Sequence, residues 1–339
     1  MQSTAILSDT FLPVGNSAST SSSSATAATV DRVVWIDGEL RPWADATVHV
    51  LSHSLQRGSL VFDYMSVHDT PRGASVFRLR EHVERFFQSC EMMGLPVDQS
   101  AETLREAIRE TVRANPGARA VKISAYFASV EIDVVPVDTH LTVTIAAYDP
   151  KADISDRLPQ TSPPKRKTLR LWIEKERANR RDDIIAPQVK VSSNYASPMT
   201  AKARARAAGY DEIILVDEDG HLAEGPTTNL FLVDGQGNLL TPPSEKVLHG
   251  VTRSAIIEIA KAESISVHEA QLLPDALLTA TEAFLTGTTA GVWPVESVDG
   301  RELGDVCPGP ISSRLGKRFR RISRGEDPEF AHWLTPVED

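Results

Sequence analysis

The chain has 339 residues, of which 41% are hydrophobic and 24% charged, enough for one large or two medium domains. Its 36 Lys and Arg stand against 46 Asp and Glu, a net charge of −10, which argues against nucleic acid as the main partner. Any bound phosphate must then be held by local groups. The two cysteines, Cys90 and Cys307, fall in no C-x-x-C spacing and are expected as reduced thiols of a cytoplasmic protein.

In chain order, the first unit is a Ser/Thr/Ala-rich extension over residues 1–30. It cannot bury enough apolar surface to offset its ordering entropy, so it is expected to be disordered and without a catalytic role. It lacks a basic start followed by an apolar run, so no secretory signal is expected, and no run of about 18 apolar residues predicts a membrane span. Residues 33–36 and 39–40 flank an Asp37-Gly38 turn and read as a strand pair. Further extended runs cover 47–51, 60–66 and 76–78. Helical spacing follows over 79–93, with Leu79, Val83, Phe86, Phe87 and Cys90, and over 101–115, with Leu104, Ile108 and Val112. Strands at 120–130 and 141–147 complete a small α+β domain over 31–148. Residues 149–167 carry Pro159, Pro163, Pro164 and many charges, and read as an interdomain linker. The remainder, 168–339, shows a strand at 168–173, hairpins at 212–224 and 229–241, helices at 252–263 and 274–281, and a strand at 283–286. The expected fold class is α+β in two domains, the second a larger barrel-like β domain with peripheral helices.

No G-x-G-x-x-G, Walker A, H-E-x-x-H or G-x-S-x-G motif occurs, which demotes dinucleotide enzymes, phosphate-loop ATPases, zinc hydrolases and serine hydrolases, and no metal site is expected. Five separated segments stand out instead. They are Arg78-Leu79-Arg80-Glu81-His82-Val83-Glu84-Arg85, Lys190-Val191-Ser192-Ser193-Asn194-Tyr195, Glu224-Gly225-Pro226-Thr227-Thr228-Asn229, Gly250-Val251-Thr252-Arg253 and Thr286-Gly287-Thr288-Thr289. An uncharged lysine amine can bond an aldehyde. An acid fixed against a pyridine nitrogen makes that ring an electron sink. A glycine opening a helix leaves free N–H groups for an anion, as at Gly250 and Val251. Taken singly, each residue also has a bland reading: Lys190 as a surface lysine, Glu224 as a strand-end acid, Tyr195 as a half-buried tyrosine, Thr252 as a helix cap.

In order and spacing, the segments resemble the branched-chain aminotransferase family, class IV aminotransferases of fold type IV, over about residues 33–320. The resemblance implies pyridoxal 5′-phosphate as cofactor, Lys190 as its covalent anchor and the catalytic base, and Glu224 as the acid against the ring nitrogen. Tyr195 would hydrogen-bond the phenolic oxygen, while Arg85, Val251, Thr252 and Thr288 would hold the phosphate. By helical periodicity alone Arg85 lies off the apolar stripe and reads as a solvated charge. The substrate side would comprise Arg57, Phe62, Tyr64, Val121, Ile123, Thr288 and Thr289. Several of these depart from the family's pattern: Arg57 replaces a tyrosine, Asp63-Tyr64 an acid–glycine pair, and Val121-Lys122-Ile123 a Tyr-x-Arg. Arg57 is therefore expected to supply a relocated carboxylate anchor.

The implied activity is transfer of an amino group between an apolar or branched-chain amino acid and a 2-oxo acid, by a homodimer. An (R)-selective amine or D-amino-acid transaminase, an aminodeoxychorismate-lyase-like enzyme and a non-catalytic binding relative remain open alternatives.

Overall fold

A computed structural model of the protein describes residues 30–158 and 166–338. The expected extension, Val30 apart, and the central part of the expected linker lie outside these residues. A first sheet has seven strands among the described residues. It comprises β1 (Val33–Ile36), β2 (Glu39–Pro42), β3 (Val61–Thr70), β4 (Gly73–Phe77), β5 (Ala120–Tyr126) and β6 (Thr142–Tyr148), with the C-terminal strand Leu334–Pro336 on the outer edge of β4. The short helix α1 (His53–Arg57) precedes β3, and α2 (Leu79–Met92) and α3 (Ala101–Arg113) cover one face. Ser100 caps α3 by accepting the Thr103 N–H, and Gly94, at φ +66°, takes the left-handed turn after α2. The extended run expected at 47–51 forms no strand; most of its residues are exposed and reach no sheet neighbour.

Strand alternation sorts the first sheet's residues into two sets. On β3, Val61, Asp63, Met65 and Val67 are buried, while Phe62, Tyr64 and Ser66 point to the other, half-open face. On β5, Val121 and Ile123 are fully buried in the core with Phe86, Leu104 and Ile108. This corrects the expectation that Val121 and Ile123 line the substrate pocket. Side chains alternate with a period of two, so a one-residue misplacement of a strand exchanges its faces. Lys122, paired in register with Tyr64, and Ser124, paired with Phe62, carry the pocket face instead.

The second sheet holds β7 (Leu169–Arg180), β8 (Glu212–Asp217), β9 (Asn229–Val233), β10 (Leu239–Thr241), β11 (Val267–Glu269), β12 (Glu282–Gly287) and β13 (Gly291–Val298), with β14 (Arg301–Glu302) paired to β13. Its helices are α4 (Ser193–Ala196), α5 (Met199–Ala207), α6 (Val251–Ala262), α7 (Pro274–Thr279) and α8 (Pro310–Ser323). The expected hairpin at 229–241 forms as β9–β10. At 212–224 only the outgoing strand forms. Every residue of β8 is buried, and β8 pairs in parallel with β7; the return segment folds back on β8, the Leu215 N–H donating to the Glu224 carbonyl, the Ala223 N–H to the Leu215 carbonyl and Val216 bridging Leu222, without forming a regular strand. Phe77 of the first sheet stacks edge-on against Phe319 and Trp333 inside the second core, which ties the two units together. The architecture is the expected two-domain α+β fold. Among the described residues no helix is long and apolar enough to cross a membrane.

Candidate active site

Lys190 lies between β7 and α4 and is clamped through its backbone to the first sheet. The Phe62 N–H donates to the Lys190 carbonyl at 3.0 Å, and the Lys190 N–H donates to Ser89 Oγ at 3.1 Å. Val189 and Val191 on either side are buried in the first core. Only the side chain is left free to act. Its Nζ donates to Tyr195 Oη at 2.9 Å and lies 5.0 Å from the Phe62 ring centroid. The short helix α4 sets this contact by bringing Tyr195 back over Lys190.

Glu224 is 2% exposed. A buried carboxylate is costly unless hydrogen bonds compensate it. Asn229 Nδ2 donates to its Oε2 at 3.0 Å and the Leu248 N–H to its Oε1 at 3.2 Å. Glu224 and Tyr195 line one cavity together with Val189, Asn194 and Thr228. The Thr228 hydroxyl is buried there with no hydrogen-bond partner, so the cavity offers a polar group that is still unsatisfied. Gly250 is required beside it, because a Cβ at that position would fall 1.9 Å from Asn229 Oδ1.

Gly250 opens α6, whose first residues Val251 and Thr252 are buried and which carries no side-chain cap. Arg85 reaches this helix start from α2: its Nη1 donates to the His249 carbonyl at 2.9 Å. Arg85 is itself buried, at 6% exposure, against the solvated placement its periodicity predicts. The reason is Asp63, which accepts from Arg85 Nε and Nη2, each at 2.8 Å, and lies 2.7 Å from His82 Nδ1. Burial pushes the Asp63 carboxyl up, but Arg85 and His82 outweigh it and hold the group well below the usual carboxylate range. Burial pushes His82 below its ordinary value, further than the neighbouring Asp63 charge restores. A positive guanidinium and a helix N-terminus thus meet at one point, an arrangement suited to phosphate.

The turn after β12 closes the other side. Thr288 Oγ1 donates to the Tyr64 carbonyl at 3.4 Å, and Thr289 stands beside the Tyr64 phenol. Burial raises the Tyr64 phenol's pKa, and Tyr148 is pushed up to about 12, by burial first and then by Tyr64. Consecutive residues of β3 thereby touch three parts of the site: Phe62 meets Lys190, Asp63 meets Arg85, and Tyr64 meets Thr288. Arg57 stands apart. It is exposed at the end of α1, and its Nη2 donates to the Ile132 carbonyl at 2.6 Å.

The sequence alone singles out neither His82 nor Asn229 for a role, and marks Asp63 and Lys122 only as departures. The signal for His82 and Asp63 lies in their pairing: an acid at a buried strand position, and a histidine on the helix turn that faces it. Asn229, five residues beyond Glu224, carries no such signal.

A pyridoxal-type cofactor needs an amine, an acid near its ring nitrogen, a donor for its phenolic oxygen and an anion cradle. The residues present fit that set: Lys190, Glu224, Tyr195, and Arg85 with the start of α6, around a cavity with an unsatisfied hydroxyl. An amine, a buried acid and an anion cradle at the junction of two sheets define an enzyme pocket.

A family model described as amino-transferase class IV matches residues 60–298. The branched-chain-amino-acid aminotransferase of Salmonella typhimurium is 36% identical over 308 residues, covering 90% of this chain and 97% of the relative. That of Pseudomonas aeruginosa is 32% identical over 309 residues, covering 91% and 98%. Among solved structures, the branched-chain amino acid aminotransferase of Thermobaculum terrenum in its PLP-form superposes with a TM-score of 0.81 at 26% identity, covering 92% of this chain and 100% of that one. The chain belongs to the class IV aminotransferases and is an enzyme of that transferase family.

Proposed function

We propose that this aminotransferase holds pyridoxal 5′-phosphate on Lys190 and moves an amino group between a branched-chain or other apolar L-amino acid and a 2-oxo acid. The observation that carries the reading is the 2.9 Å Lys190–Tyr195 contact beside the buried, doubly hydrogen-bonded Glu224. When bound, the cofactor supplies an electron sink for the bond broken at the substrate's Cα. Glu224 would hold a proton on the ring nitrogen, and Asn229 and the Leu248 N–H fix its carboxylate in place for that. Tyr195 would orient the ring through the phenolic oxygen and steer the Lys190 amine. Arg85, Val251, Thr252 and Thr288 would hold the phosphate, with Asp63 fixing the Arg85 fork. Lys190 Nζ would be the base that takes and returns the Cα proton. Phe62 and Tyr64 supply apolar walls for the side chain, with Thr289 beside them. The relatives' names favour branched-chain donors. A panel of amino donors in both enantiomers is expected to give L-leucine, L-isoleucine or L-valine rates roughly 100-fold above D-amino acids and (R)-amines. The reverse preference would establish the (R)- or D-selective alternative, and pyruvate release from aminodeoxychorismate the lyase.

We also propose a homodimer. A group of apolar side chains stands in water around α1 and the segment before β6: Leu55 at 59% exposure, Ile132 at 96%, Val134 at 74% and Val137 at 83%. A patch of that kind marks a protein contact. Sedimentation equilibrium is expected to give twice the chain's 37.0 kDa, and a strictly monomeric species would contradict the proposal.

A further inference from the structure

Two segments that belong to neither sheet wall the cavity beside Glu224. Residues 181–189 lead from β7 to Lys190 and contribute Pro187 and Val189. Residues 244–250 lead from β10 to α6 and contribute Leu248. The second wall makes three contacts on which the site depends. The Leu248 N–H donates to Glu224 Oε1 at 3.2 Å, the Leu248 carbonyl accepts from Asn229 Nδ2 at 3.0 Å, and the His249 carbonyl accepts from Arg85 Nη1 at 2.9 Å. Backbone outside a sheet or long helix opens easily unless other groups tie it down. Two ties cross from this wall to the other. Gln188 Nε2 donates to the Glu245 carbonyl, and Lys246 Nζ donates to Asp182 Oδ2 at 2.8 Å. The same amine also grips Glu218, just past the end of β8. Lys246 is largely buried by these contacts, its side chain 15% exposed, while that of Asp182 is 44% exposed.

We propose that Lys246 is a positioning residue of the cofactor site: by clasping Asp182 it keeps the two walls together, holds the Leu248 N–H on Glu224 and slows escape of the bound cofactor. This rests on the reading of the Lys190 cavity as the pyridoxal-phosphate site. Lys246 acts through Leu248, two residues on, and through Asp182 on the segment that ends at Lys190. Glu218 anchors the amine on its own side, and Asp182 supplies the tie that crosses. Parting of the walls would withdraw the Leu248 N–H from Glu224, a carboxylate only 2% exposed and costly to leave short of a donor. Because the crossing tie is ionic and Asp182 faces water, dissolved salt screens it, whereas the Gln188 bond is neutral.

The test follows two rates in the holoenzyme: loss of the visible cofactor band after transfer into cofactor-free buffer, and hydrogen exchange of the peptide that contains Leu248. Wild type is compared with Lys246→Met, Lys246→Arg, Asp182→Asn and the double variant Lys246→Met with Asp182→Asn. Lys246→Met and Asp182→Asn are each expected to speed both rates about 5-fold, the upper scale of a partly exposed ion pair. The double variant should be no faster than Lys246→Met alone, since both substitutions break one tie. Lys246→Arg should stay within about 2-fold of wild type, because its charge survives. Raising salt from about 0.05 M to about 0.5 M should speed cofactor loss in wild type and leave Lys246→Met unchanged. The proposal is overturned if Lys246→Met leaves either rate as in wild type, if Asp182→Asn changes neither, or if the two substitutions act additively. A wild-type protein without the visible band would sink the cofactor reading instead, and the exchange rates would still decide whether Lys246 clasps the walls.

Discussion

Lys190→Ala is expected to lose the visible cofactor band and to lower turnover by about 1,000-fold or more, the upper range for removing a positioned acid–base group. The loss would be chemical and not structural. Lys190 is held in place by its carbonyl, which accepts from the Phe62 N–H, and by its N–H, which donates to Ser89 Oγ, and alanine keeps both bonds. The flanking Val189 and Val191 stay buried in the first core. What disappears is the Nζ that meets Tyr195 at 2.9 Å, and with it the covalent anchor and the base for the Cα proton. Circular dichroism and the thermal midpoint should be near wild type, while the spectrum above the protein's own absorption goes flat. A variant that retained full turnover would remove Lys190 from the mechanism.

Asp63→Asn is expected to cost about 3–5 kcal/mol of stability at neutral pH, because it strands a buried guanidinium. Asp63 is 0% exposed and Arg85 6%, so water cannot replace the lost carboxylate. The pH dependence follows from the direction of the Asp63 shift. Its folded-state pKa is depressed, so its contribution is complete above the unfolded value, about 3.9, and is lost as pH falls from there through the folded value. The gap between wild type and variant in urea midpoint should therefore be widest near neutrality and narrow below about pH 4. A gap under about 1 kcal/mol, or one that widens in acid, would show that Arg85 finds another partner. Cofactor affinity should fall along with stability, since Asp63 is what aims the Arg85 fork.

Residue type and spacing made much of this molecule legible. Helices α2 and α3 follow directly from apolar residues at helical spacing, and α6 and the β9–β10 hairpin form where the sequence predicts them. What sequence could not supply was tertiary pairing. β8 takes a parallel neighbour from elsewhere in the chain, β7, on one edge and only an irregular return segment on the other. Arg85 departs from its helix's polar face because Asp63, on a different element, makes burial tolerable. Val121 and Ile123, placed on the substrate side by the resemblance, lie on the core face of β5, because a matched segment does not say which of its residues face the pocket. It also concealed Lys122, whose Nζ approaches the same Phe62 ring as that of Lys190. The cofactor side depends on short local segments, which sequence order preserves. The substrate side depends on strand register, which only the folded sheet reveals.

The central claim, that Lys190 is the residue bonded to the cofactor, is tested most directly by treating the holoenzyme with borohydride, digesting it and mapping the phosphopyridoxyl mass by tandem spectrometry. The account predicts a single labelled peptide with the added mass on Lys190. Label on Lys122 or any other lysine, with Lys190 unmodified, would contradict it.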